Sequence, residues 1–234
     1  MDINDETIRY AVMQTEILRA PKQSLYTFGT TNISYYLLTR PVYSDAGAPA
    51  ETVVREGKVV AERPRIVTPY YLSRLEGFSS EARSYFEALT RDLGPQAPGM
   101  LYTYRNEPGG LNIVSEDMRL VIEKINAQID QRGDNLSAII RGEDLLWDVS
   151  LLKFIFEVTR SSVGDNVQQM GRRGLLGVDA RGIPAEARMR IEELFRRVSG
   201  GELEPRQLKD ELDRWDVFDE YEDRFLALFR KGLR

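Results

Sequence analysis

The sequence predicts an α+β fold: a tyrosine-rich, mainly antiparallel sheet in residues 1–140, and a helical region in residues 141–234 packed around one apolar helix. The two regions read as separate domains or as one continuous body. Three observations carry this. Short runs rich in Tyr, Thr, Val and Ile, bounded by Gly, Asn and Pro, crowd the first half, as strands do. Apolar residues recur at helical spacing through the second half. Strands precede helices instead of alternating with them, which argues against an alternating α/β sheet.

Residues 5–18 place Ile8, Ala11, Val12, Thr15 and Leu18 at helical spacing, and Pro21 ends that helix. Strands are expected at 25–28, 33–43, 51–54, 58–62 and 65–68, with Gly57 as the positive-φ turn residue of a hairpin over 53–60. Residues 44–50 (SDAGAPA) read as a loop projecting from the sheet. A helix is expected over 79–93, broken by the GPQAPG run at 94–99. Residues 100–105 and 111–114 read as two strands around a Glu107-Pro108-Gly109-Gly110 turn, and Ser115 as the cap of a helix reaching residue 131. Residues 143–160 are apolar nearly all round, the pattern of a central buried helix. Ser162, with Asp165 three residues on, reads as the cap of a separate shorter helix. Gly-rich 171–182 connects to a helix opened by Pro184 and stopped by Gly200-Gly201, and two helices follow at 205–215 and 217–230. No internal repeat is present.

The 234 residues include no histidine and no cysteine. A Ser-His-Asp triad needs imidazole, and a Cys-His pair needs both missing side chains. Thiolate and imidazole zinc sites, iron–sulfur clusters, His- or Cys-ligated haem and disulfides are excluded for the same reason. What remains is carboxylate, Lys, Ser/Thr or Tyr chemistry, and oxygen-bound Mg²⁺ or Ca²⁺. At 42% hydrophobic and 29% charged, the composition is that of a globular chain able to bury a core unaided. The acidic start MDINDETIRY lacks the apolar stretch of a secretory leader, and no run is apolar enough to span a bilayer, so the expected compartment is the cytoplasm. The net charge of −5 is uneven: residues 160–198 carry +3 between segments of −5 and −3.

Four features stand out as candidate sites. Ten of the eleven tyrosines lie in residues 10–104, and Tyr35, Tyr36, Arg40, Tyr102, Tyr104 and Arg105 form the pattern with which a sheet stacks bases or meets a protein partner. The structural alternative is that Tyr simply suits a half-wet strand. Arg172 and Arg173 in the run GRRGLLG, with Arg181 and Arg188 beyond it, are candidates for contact with an anion or partner, set against a plain glycine-capped helix end. Glu143, Asp144 and Asp148 are weak candidates for a magnesium site. Asp148, deep in an apolar helix, reads better as a structural acid paired with an arginine from another segment. The acidic residues of 213–223 read as a solvated face.

These readings converge on a non-catalytic binding, scaffold or regulatory protein with no cofactor, acting through a protein partner or self-association. The alternatives are a nucleic-acid-associated protein using the arginines of 160–198, and a magnesium-dependent carboxylate enzyme.

Overall fold

The computed structural model describes residues 5–42, 50–68, 71 and 99–230. All but the last residue of the expected loop at 44–50, and the expected helix at 79–93, lie outside the described residues. The fold is α+β, with a mostly antiparallel five-stranded sheet. It falls into two compact units, each made of two stretches of chain: residues 1–63 with 102–168, and residues 64–101 with 169–234. This partition interleaves chain segments.

The first unit holds helix α1 (Asp5–Gln14), strands β1 (Glu16–Arg19), β2 (Thr31–Thr39) and β3 (Thr52–Ala61), and, after the second unit's strands β4 (Arg65–Val67) and β5 (Gly99–Leu101), strand β6 (Tyr104–Val114), helix α2 (Met118–Arg132) and strand β7 (Ser137–Arg141). Helix α3 (Trp147–Arg172) then runs from the first unit into the second. The sheet order is β1-β7-β2-β3-β6, with β2 and β7 the parallel pair. Both faces are covered. Ile33, Tyr35, Leu37, Val59, Ala138 and Ile140 pack with Leu151, Phe154 and Val158 of α3. Leu38, Val54 and Ile139, on the opposite face, pack with Val121, Ile125 and Ile129 of α2. The two-residue side-chain period of the strands explains why neighbours such as Leu37 and Leu38 serve different layers.

Several expectations change. Helix α1 stops at Gln14, and Leu18 lies in β1, paired to β7. The Ala11 carbonyl takes both the Thr15 N–H at 3.0 Å and the Thr15 hydroxyl at 2.7 Å, and Lys153 Nζ donates to the Val12 and Thr15 carbonyls at 2.9 Å each, so a side chain from α3 takes carbonyls that a further turn would have used. Residues 25–28 are not a strand. Their backbone is held instead by α3, where Ser162 Oγ accepts from the Leu25 N–H and Asn166 donates to the Leu25 carbonyl. Gly57 is no turn: β3 runs straight through it beside β2. Glycine is required there by closeness, since a Cβ would sit 2.5 Å from the Tyr35 hydroxyl and 2.8 Å from the Glu107 carbonyl. The Glu107-Pro108-Gly109-Gly110 run is likewise continuous strand, part of β6, with the register shift falling opposite Arg55 and Gly57. Helix α2 is capped by Asp117, whose carboxylate accepts from the Arg119 N–H, and closes on Gly133 at φ 64°. Ser162 caps nothing; its hydroxyl bonds back to the Val158 carbonyl inside one uninterrupted α3.

Helix α3 is also not buried all round. It buries one side on the sheet and leaves Leu152 and Phe156 each 64% exposed.

In the second unit the β4–β5 ribbon accompanies helices α4 (Ala185–Ser199), α5 (Pro205–Trp215) and α6 (Phe218–Arg230). Ile191 and Phe195 of α4 centre a core with Val67, Tyr71, Leu208, Leu212 and Trp215. Among the described residues no helix is long and apolar enough to cross a membrane.

Candidate functional site

The parallel pairing of β2 with β7 brings Arg40 and Arg141 to one end of the sheet, where α2 also begins. A cavity of about 650 Å³ opens there, lined by Tyr10 of α1, Arg40, Met118, Arg119 and Ile122 of α2, Arg141, and Glu143. Arg141 is paired with Glu16. Arg119 is 82% exposed and stands 4.0 Å from Glu123, so its guanidinium is barely engaged. Arg40 and Glu143 make no hydrogen bond or ion pair among the described residues. The cavity thus joins guanidinium groups, two carboxylates (Glu143, and Asp117, which is taken up by the Arg119 N–H) and an apolar wall.

The tyrosines expected to share a face are divided. Tyr35 is buried under α3, its hydroxyl donating to Asn106 at 3.0 Å, and burial pushes its phenol up. Tyr36 packs on the α2 side. Tyr102 and Tyr104 stack with ring centroids 6.4 Å apart, but their hydroxyls are committed to Asn166 and Thr159 of α3. Arg105 is exposed and bonded to Glu107. These aromatic side chains serve the packing of α3 and α2 rather than an open stacking platform.

The arginines of the 160–198 segment are also unevenly placed. Arg188 forks onto Asp179 at 2.7 and 2.9 Å and reaches Glu220 at 2.7 Å, while Arg181 pairs with Glu220. Asp179 accepts from the backbone N–H groups of Arg181 and Ile183 as well. Burial alone would raise the Asp179 carboxyl, but these bonds together with Arg188 hold it below the usual range. The glycine run after Arg172 closes α3: the N–H groups of Arg173 and Leu175 bond to the Met170 carbonyl, and that of Gly174 to Gly171. Those N–H groups are therefore spent on the helix end. Arg172 lies in the exposed last turn of α3.

Of the three acids, Asp144 is the paired one. Its Oδ1 accepts from Thr39 at 2.6 Å and from Arg55 at 2.7 Å, both side chains of the ion pair being largely buried, and Arg55 lies 5.6 Å above the Trp147 ring. Asp148 is exposed in the first turn of α3, where it accepts from the Val149 N–H. The expected structural pairing thus falls to Asp144, because α3 starts at Trp147 and Asp148 lies on the exposed side of its first turn. Among the described residues no group of three or more acids is placed to hold a metal.

Sequence reasoning passes over Glu186 and Glu211, each nearly wholly buried. Glu186 accepts from the Ile66 N–H at 3.2 Å. Glu211 accepts from Tyr71 and Trp215 and stands 3.3 Å from Arg190. The available signal was an acid on an apolar helix face, at the spacing of Leu208, Leu212 and Trp215.

No protein-family model matches this chain, and no curated protein or solved structure is significantly similar to it.

Proposed function

We propose that this chain works by contact rather than catalysis, as a binding or regulatory protein that receives an amphipathic helix of a partner protein on α3. One observation carries the reading. Leu152, Phe156, Val163 and Val167 are exposed along α3 at intervals of four, seven and four residues, and exposed Leu145 precedes them by seven. Those intervals place the side chains on one stripe, opposite the Leu151, Phe154 and Val158 side that meets the sheet. Steps of four and seven are the seam into which another helix lays its own apolar residues. A large exposed aromatic at mid-stripe is the kind of residue that dominates binding energy. The missing imidazole and thiol agree with this reading. The arginine network supports a nucleic-acid role less well, because Arg181 and Arg188 are already balanced by Asp179 and Glu220.

The test is copurification of the full chain without cross-linker, with mass determination of what travels with it. A stoichiometric protein lost on Phe156→Asp, and kept on Arg172→Ala, supports the reading. A chain that travels alone, or a companion that survives Phe156→Asp, overturns it.

A further inference from the structure

The cavity at the carboxyl end of the parallel pair has a different chemistry from the apolar stripe. Its volume of about 650 Å³ falls in the range of small-ligand pockets, and it sits where such pockets form. Helix α2 covers one face of the sheet and α3 the other. The chain leaving β7 for α3 and the start of α2 therefore diverge at this end, leaving a crevice beyond the strand ends. The N-terminus of α2 is not what makes the site, since Asp117 already occupies the Arg119 N–H.

The lining side chains specify the occupant. Arg40 is exposed and has no counter-charge among the described residues, so its planar fork is available to oxygens of a phosphoryl group. Arg119 can add a second donor set at little cost, because its 4.0 Å approach to Glu123 is a weak surface pair. Tyr10 and Ile122 offer an apolar wall for a planar ring. Glu143, a carboxylate with no partner among the described residues, is an acceptor for sugar hydroxyls or a ring amine. Phosphoryl group, hydroxyl-bearing linker and planar ring together describe one ligand class. The geometry points to this cavity as a nucleotide-binding site, with Arg40 holding the phosphates and Glu143 the sugar.

Isothermal titration with ADP, without added metal, tests it, with inorganic phosphate as the second titrant. ADP is expected to bind saturably and at least about tenfold tighter than phosphate. Arg40→Ala should weaken ADP by about tenfold or more while leaving the urea midpoint unchanged. Phe156→Asp should bind ADP as the parent chain does, which separates this site from the contact stripe. Absence of saturable ADP binding up to about 1 mM, or unchanged affinity in Arg40→Ala, overturns the proposal. Phosphate binding as tightly as ADP does so too, because only the anion would then be recognised.

Discussion

The Tyr71 hydroxyl donates to Glu211 Oε2 at 3.0 Å, with the two residues only 2% and 3% exposed. The other carboxylate oxygen takes the Trp215 indole N–H at 3.3 Å and stands 3.3 Å from Arg190 Nε, which has no hydrogen bond of its own. One buried anion thus holds a phenol, an indole and a guanidinium in the core of the second unit. Glu211→Gln keeps the shape but removes the buried negative charge that faces Arg190, and Arg214 at 3.7 Å. It should cost about 3 kcal/mol in urea unfolding. Tyr71→Phe removes only one hydrogen bond and should cost about 1 kcal/mol. A Glu211→Gln variant as stable as the exposed control Glu222→Gln would show that the network contributes nothing to folding.

Gly57 is the sharpest test of strand packing. Gly57→Ala drives a methyl group into the Tyr35 ring, which is held under α3, and toward the Glu107 backbone carbonyl, which is held in the β3–β6 ladder. A loss of about 2 kcal/mol is expected. Gly133→Ala, at φ 64° with open space around it, suffers only the left-handed backbone penalty and should cost about 1 kcal/mol. Equal losses in the two variants would mean that Gly57 is retained for conformation, not closeness.

The same glycine shows what the sequence made legible. Periodicity located α2, because Val121, Ile125 and Ile129 face one side and polar residues the other. It also placed β2 and the last three helices, the first two of them opened by Pro184 and Pro205. Gly57 and the Pro108-Gly109-Gly110 run carried turn chemistry inside one long pair of strands, since local signals do not register a neighbour's ring pressing on the backbone. Strand β7 went unread: five residues, four of them buried, show no alternation when both faces are covered. The cavity was legible only in pieces. Arg40 and Glu143 were singled out for different reasons, and what unites them is the parallel pairing of segments about a hundred residues apart. No local pattern encodes that pairing.

Asp179 predicts how the second unit responds to acid. Its carboxyl is held below the usual value of 3.8, so its folded form binds a proton less readily than its unfolded form. The stabilisation is therefore fully present above that value and is lost as pH falls through the lower folded pKa. Asp179→Asn should be less stable than the parent chain at pH 6, with the gap closing as pH falls below 3.8. Urea midpoints across that range measure it, and a gap that stays constant with pH would refute the assignment.

Asp144 and Arg55 invite a double-mutant cycle. Both are largely buried, with Thr39 bridging them and Trp147 beneath the guanidinium. Asp144→Asn and Arg55→Met each leave a buried group short of its partner, and each should cost about 2–3 kcal/mol. The double variant should cost clearly less than the two together, because the second change removes the stranded charge. Strict additivity would mean that the two residues act independently despite their 2.7 Å contact.

Tyr102 sets the alkaline limit of the first unit. Burial first, and then the neighbouring Tyr104, push its phenol up to about 12 from the usual 10.0. The folded chain keeps this proton longer than the unfolded chain does. The stabilisation is complete below pH 10 and disappears as pH rises through 12. Tyr102→Phe removes the titrating group together with its 2.7 Å bond to Asn166. It should be about 1 kcal/mol less stable than the parent chain at pH 8, and the difference should shrink between pH 10 and pH 12. Tyrosinate absorbance gives an independent reading: the Tyr102→Phe chain should lose a late-titrating phenol and no early one. Loss of an early one would place Tyr102 in water, in conflict with its contact with α3.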